Sequence, residues 1–479
     1  DTSAARLEDV QICLGRVVGI DLNDYACALA RTRLVMTAAE LAGVTTLAAA
    51  GQFHPHVYWA DGLEQVEREE AKPTQQFGLF EKPEEEKPRA VLTRSDVREA
   101  LRGVFKQKFH AVVANPPYIT EKDSARKDYH REKIAGRQRY VSAYREYSLG
   151  SPFTERCFQL AERDGYVGII TSNNFMKREF GKPLIENVLK GLDLTLVVDT
   201  SQAYIPFHGT PTVLLFGRNR GPRGDRVRAV MGKRGESGTP PDPAKGRVWS
   251  GIVEGFGTVG FENDYVSVSD LPRETLGKHP WSLGGGGAAE LKERLSEQAA
   301  TTLGGVAQSI GFASITGADE IFLQPTALLD RVNVTHRRPM VKGDIVRDWS
   351  VAEGEETVWP YDESAAILPA VETPDVLRFF WPYRTNLRDR RVFSRRLEER
   401  GIDWWAAREV YPDRFRTPLS IAFAFVATHN HFVLDRGGKV FKQSAPVIKL
   451  PPGSTEDDHL ALLGLLNSST ACFWMKQVF

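Results

Sequence analysis

Asn115-Pro116-Pro117-Tyr118 is the stretch of this chain whose residue types and order are best suited to chemistry. An exocyclic amino group on a planar ring is a poor nucleophile, because its lone pair is delocalised. The side-chain oxygen of Asn115 and the backbone carbonyl of Pro116 can each accept one N–H from such an amine. Two acceptors placed for a tetrahedral nitrogen localise that lone pair, which is transition-state stabilisation by fixed dipoles. The two prolines fix φ and pre-set the shape of the loop. Tyr118 offers a ring for stacking. A base flipped out of a duplex fits this description. A Pro-Pro turn that merely closes a strand is the alternative, but it needs neither the Asn nor the Tyr.

Such a loop must be held by a strand. Phe109-His110-Ala111-Val112-Val113-Ala114 is a short apolar run that reads as a buried β-strand. Two prolines cannot continue its ladder, so the chain must leave the sheet at Asn115. In open α/β sheets, ligands bind at the carboxyl ends of strands. Other strands are expected at Arg16–Asn23, Val57–Leu63, Gly165–Thr171, Leu194–Asp199 and Val213–Phe216. Helices are expected over 3–15, from Asp24 onward with Asn23 or Asp24 as cap, and over 152–163. Strands alternating with helices predict an α/β fold. The expected form is a doubly wound, Rossmann-like, mostly parallel sheet with an antiparallel edge.

Asn-Pro-Pro-Tyr after an apolar strand resembles the catalytic motif of S-adenosylmethionine-dependent methyltransferases acting on amino groups. The Asn form is typical of adenine-N6 DNA methyltransferases. Protein-glutamine and some ribosomal RNA methyltransferases carry the same tetrapeptide, so the motif specifies the reaction more closely than the substrate. The resemblance implies that Asn115, Pro116, Pro117 and Tyr118 form the catalytic loop, with no covalent enzyme intermediate. It implies that Asp21, followed by Leu22, holds the ribose of S-adenosylmethionine. It further implies that Asp61, followed by Gly62, accepts the adenine amino group, with Phe153 near the cofactor. Phe207, in the turn Ile205–Thr212, would stack on the flipped base opposite Tyr118. The glycine-rich loop that cradles the methionine end in the family is not found in residues 1–16. The chain is therefore expected to start just after that motif, with the sheet's first strand missing, and to stop within its last helix.

Bulk properties exclude several classes. Hydrophobic residues make up 42% and charged residues 26%, and 62 Lys and Arg balance 62 Asp and Glu. A neutral chain has no global field for nucleic acid, so any such affinity must be local. Cys13, Cys27, Cys157 and Cys472 lie far apart, which gives neither a metal spacing nor a disulfide framework and suits a cytoplasmic protein. No metal site is expected. No apolar run reaches the roughly 18 residues of a membrane span.

The chain divides by composition. A methyltransferase domain is expected over 1–220, a linker and connecting segment over 221–300, and a target-recognition domain over 301–479. Residues 64–89 hold eight Glu, five Lys or Arg and three Pro, and read as a flexible acidic insertion. Residues 119–147 interleave basic residues with tyrosines, which suits a flipped nucleotide and its phosphates; a solvated helix face is the alternative. Lys177 and Arg178 follow a strand end and are candidate DNA contacts. Residues 378–416 hold eleven Arg, no Lys and nine aromatics. Arg384, Arg388, Arg390 and Arg391 are the candidate DNA-binding set, because a guanidinium fork reads guanine edges and grips phosphate. Salt-bridged Arg–Glu pairs on an amphipathic helix fit the same residues. The motifs together resemble the PglX family, the adenine methyltransferases of BREX (phage growth limitation) systems, type 2 branch. That resemblance implies self-marking of host double-stranded DNA beside other BREX proteins. The alternatives are a protein-glutamine or RNA methyltransferase, and a non-catalytic DNA-binding subunit.

Overall fold

A computed structural model describes residues 2–65, 95–134, 136–352, 354–392, 395–415 and 417–478. Beyond Gln65 the expected acidic insertion lies outside the described residues. The chain forms two compact units, Asp1–Ala289 and Glu290–Phe479.

The first unit is built on a six-stranded sheet. Its strands are β3 (Phe109–Ala114), β4 (Ala161–Ser172), β5 (Asp193–Asp199), β6 (Thr212–Arg218), β7 (Arg226–Gly232) and β8 (Val266–Pro272). They lie in the order β8-β7-β5-β6-β4-β3. β3 and β4 run parallel, as do β5 and β7, while β6 is antiparallel to both of its neighbours. The edge strand β8 is antiparallel to β7, as expected of an edge, while Val213–Phe216 lies in the internal antiparallel strand β6. β1 (Val18–Asp21) and β2 (His56–Trp59) pair in parallel as a separate two-stranded sheet. Helix α1 (Thr2–Gly15) precedes β1, and α2 (Asp24–Ala42) follows it, capped by the Asn23 side chain.

Alternation along the strands explains why this sheet is covered on both faces. Val197, Leu215, Ala229 and Met231 enter one core with Ile169, Phe158, Leu184 and Ile185. Their sequence neighbours Val198 and Val230 enter a second core with Val248, Ile252, Val266 and Val268. Two strands and a helix of that arrangement come from residues 226–272. The segment expected as a linker over 221–300 thus contributes two strands and a helix to the first unit, which extends to Ala289. Its glycines and prolines punctuate turns between strands whose apolar periodicity is short.

β3 corrects a second expectation. It is an edge strand, with Val112 and Ala114 packed on the core and Val113 83% exposed on the other side. A fully apolar run does not distinguish burial on two faces from burial on one.

The second unit contains two four-stranded sheets. One joins Ser309–Gly311, Val447–Lys449, Ser420–Phe423 and Phe432–Asp435 in that order. The other joins Leu323–Gln324, Glu356–Val358, Arg337–Val341 and Val440–Phe441. Among the described residues its largest core holds five buried aromatics, where Phe322 and Phe380 meet at a tilt with centroids 4.7 Å apart and Trp359 lies 4.4 Å from Tyr361.

Candidate active site

Strand direction brings the site together. β3 and β4 are parallel, so Asn115 leaves the sheet at the same end as Ser172. β6 is antiparallel to β4 and starts with Thr212 opposite Ser172, so the preceding turn lies at that end too.

There Pro116 is buried, while Asn115 and Pro117 are exposed and Tyr118 is half-buried. The Tyr118 hydroxyl donates to Asn115 Oδ1 at 2.8 Å. Burial raises the Tyr118 phenol above its ordinary value, so it stays a donor. An amide oxygen has two lone pairs, and this bond uses one. The Tyr118 ring meets His208 edge-on, centroids 4.7 Å apart. His208 is the residue that sequence reasoning missed, although it sits next to Phe207. Phe207 itself is fully exposed and has a φ of 59°. A non-glycine residue in the left-handed region is strained, and such strain concentrates at working sites. The turn thus reaches Tyr118 through His208, while Phe207 projects into solvent.

Asp21 ends β1 with an exposed carboxylate that accepts the Asn23 N–H at 2.7 Å. The Leu22 side chain is exposed, and its carbonyl accepts the Trp59 indole N–H at 2.9 Å. Asp61 follows β2 and is buried. Its Oδ1 accepts the Leu63 N–H at 3.0 Å, and its Oδ2 pairs with Arg126 at 2.9 Å. A Cβ at Gly62 would lie 3.0 Å from the Phe153 ring, so a larger residue there would require the ring to shift by a few tenths of an ångström. Gly62 and Phe153, far apart in sequence, are therefore neighbours. Phe153 is half-buried on α3 (Gly150–Leu160).

The basic-aromatic segment 119–147 is partly internal. Tyr140 and Tyr147 are fully buried, as are His130 and Arg139. The Tyr140 hydroxyl donates to the Leu63 carbonyl at 2.6 Å, and Glu155 accepts from Val141 and Ser142. Arg139 stacks over Tyr129 at 3.9 Å, and Lys127 pairs with Glu146 at 2.8 Å. The segment folds onto the Asp61 loop and uses Arg126, Lys127, Arg131 and Arg139 internally, while Lys122, Lys133, Arg137 and Arg145 stay exposed. Burial first, then Arg126, lowers His130 to about 4, so it is neutral at pH 7 beside Tyr147.

Lys177 is half-buried, and burial lowers its ammonium despite the Asp199 carboxylate. Arg178 is exposed. In the second unit Arg384, Arg388 and Arg391 are exposed. Arg384 stacks over Trp381 at 4.6 Å, Arg388 pairs with Glu398 at 3.2 Å, and Arg391 lies 3.9 Å from Asp389. Arg390 corrects the expected set, because it is buried. Its guanidinium donates to the carbonyls of Leu387, Thr316, Trp404 and Ala406 at 2.6–2.9 Å. Desolvation lowers it to about 10. It ties the end of the helix that precedes it to the loops at Thr316 and at Trp404–Ala406, and it is buried. Among the described residues, no cluster of three or more His, Cys, Asp or Glu could hold a metal. No described helix is long and apolar enough to cross a membrane.

Comparison with known proteins shows what the chain is similar to. Residues 16–207 match the family model for the Eco57I restriction-modification methylase. The chain is 39% identical, over 98% of its length, to the adenine-specific methyltransferase PglX of Streptomyces coelicolor, and covers 39% of that protein. It is 24% identical, over 69% of its length, to the type II methyltransferase M.XhoI of Xanthomonas vasicola, and covers 57% of it. Its fold is similar to that of the Type IIL restriction-modification enzyme MmeI in complex with DNA. That match has a TM-score of 0.55 at 12% identity, and covers 96% of this chain and 52% of the other. The chain thus spans less than two thirds of each of these proteins.

Proposed function

We propose that this chain, a relative of PglX, belongs to a site-specific DNA adenine-N6 methyltransferase. The observation that carries the reading is the Asn115–Tyr118 loop at the carboxyl end of β3, with the strained Phe207 turn against it through His208.

In this reading the adenine amine donates to Asn115 Oδ1 and to the Pro116 carbonyl. Asn115 Oδ1 retains a lone pair for that bond. Tyr118 and Phe207 cover the two faces of the flipped ring, and unstacked bases are read in this way. The amine is held with its lone pair free for in-line attack, and no enzyme nucleophile is needed.

The residues present fit the adenosine half of S-adenosylmethionine. Asp21 is an exposed strand-end carboxylate suited to the ribose hydroxyls. Asp61, Gly62 and Phe153 form a carboxylate–ring corner suited to adenine. The cofactor supplies a methyl group on a sulfonium. Duplex DNA is the proposed substrate, and Arg384, Arg388 and Arg391 are its proposed contacts in the second unit. Lys177 and Arg178 are the proposed contacts in the first. Host self-marking in BREX-type phage defence, in the cytoplasm and alongside other BREX proteins, follows from the likeness to PglX.

Long-read sequencing of host DNA, with and without the gene, tests this reading. A modified adenine at one recurring sequence, lost with the gene, is expected. Unchanged DNA with methyl transfer to RNA or protein would overturn it.

A further inference from the structure

Arg126 lies on the eight-residue helix Ser124–Arg131, where Asp123 caps the N–H groups of Ala125 and Arg126. Its guanidinium forks between two carboxylates, with NH2 2.9 Å from Asp61 Oδ2 and NH1 3.3 Å from Glu121 Oε2. All three side chains are at least four-fifths buried, with 16%, 11% and 6% exposed. The two carboxylates belong to different parts of the site. Asp61 borders the adenosine corner with Gly62 and Phe153. Glu121 ends the segment that carries Asn115 out of β3. The Glu121 N–H donates to the Tyr147 carbonyl, and Glu121 Oε1 caps the N–H groups of Lys122 and Asp123. Leu149 donates to the Ile119 carbonyl, which ties the same segment to the start of the Phe153 helix.

We infer that Arg126 is a positioning residue that couples cofactor binding at Asp61 to the order of the Asn115–Tyr118 loop through Glu121. This role presupposes the methyl transfer proposed above. One guanidinium reaches both carboxylates because its fork presents donors at two edges: it donates a hydrogen bond to Asp61 Oδ2 and pairs by charge with Glu121 Oε2. A ligand that holds Asp61 in place also holds Arg126, and through it Glu121 and the loop exit. The coupling is reciprocal, as any equilibrium linkage must be. Loss of Glu121 must therefore weaken binding of a cofactor that Glu121 does not border.

The test uses the full-length protein with a host DNA duplex and S-adenosylmethionine. Wild type, Asp61→Asn, Arg126→Gln and Glu121→Gln are compared by methyl-transfer kinetics and by calorimetric titration of the cofactor. Arg126→Gln and Glu121→Gln should each raise the cofactor dissociation constant about tenfold, a coupling of ordinary allosteric size. Each should also lower kcat about tenfold or more, because small misplacement of reacting groups is costly. Glu121→Gln decides alone where Arg126→Gln does not fold. A Glu121→Gln protein that binds cofactor within about threefold of wild type and melts lower would overturn the coupling. In that case Asp61→Asn still loses affinity and the methyltransferase reading stands. A wild-type protein without methyl transfer to DNA overturns both.

Discussion

Asn115 needs an acceptor oxygen aimed at solvent and a rigid neighbour, and both come from local sequence. Its amide is exposed while Pro116 is buried beneath it. Asn115→Ala should therefore cut methyl transfer about a hundredfold or more, in line with the loss of one oxyanion-type contact. DNA affinity should stay within about threefold, since the amide acts on the amine and not on the duplex. Rate and binding assays on the same preparation check this, and a loss below about tenfold sinks the role. His130 belongs to the same scale. Its pKa is depressed from 6.5 to about 4 in the folded state. The unfolded chain binds more protons between those values, so this stability is present above pH 6.5 and lost as pH falls toward 4. His130→Gln should remove that part of the acid sensitivity. Urea melts at pH 7 and pH 4.5 should differ less for the variant than for wild type. An equal difference would mean that the neutral imidazole contributes nothing.

At the scale of elements, arginines close together in sequence take opposite roles. Leu387 and Arg390 turn inward while Arg384, Arg388 and Arg391 stay outside. Replacing the three outer arginines by Gln should flatten the salt dependence of DNA binding by about two to three units of log–log slope, since each neutralised phosphate contributes roughly 0.9. Arg384 should contribute most among them, because Glu398 and Asp389 already engage the other two. Arg390→Gln should lower the melting temperature and leave the slope alone, because it strands carbonyls that the guanidinium now satisfies. Binding titrations at several salt concentrations, read beside thermal melts, separate these outcomes. Equal slopes for wild type and the triple variant would assign the outer arginines to intramolecular pairs.

At the scale of the molecule, chemistry and recognition are expected to separate between the two units. Asn115 variants should leave recurring target sites bound but unmethylated. The arginine variants should lower occupancy while keeping kcat at saturating DNA within about threefold. Genome-wide binding and modification maps from the same strains check this, and a common loss of both signals in both variants would contradict it. The Asn115–Tyr118 loop after its strand, the strand ending at Asp21, the loop at Asp61 and the alternating strands were legible in the chain, because they depend on local residue type and period. The linker reading of 221–300 failed because Gly and Pro mark turns equally in a linker and between the short strands Arg226–Gly232 and Val266–Pro272. The cations of 119–147 divide between buried and exposed positions, because composition cannot say whether an arginine faces solvent or a buried carboxylate. Only tertiary structure placed Gly62 against Phe153, His208 against Tyr118 and Arg126 between Asp61 and Glu121. Those meetings depend on which strands are parallel and where their ends fall, and a non-local pairing leaves no period in the sequence.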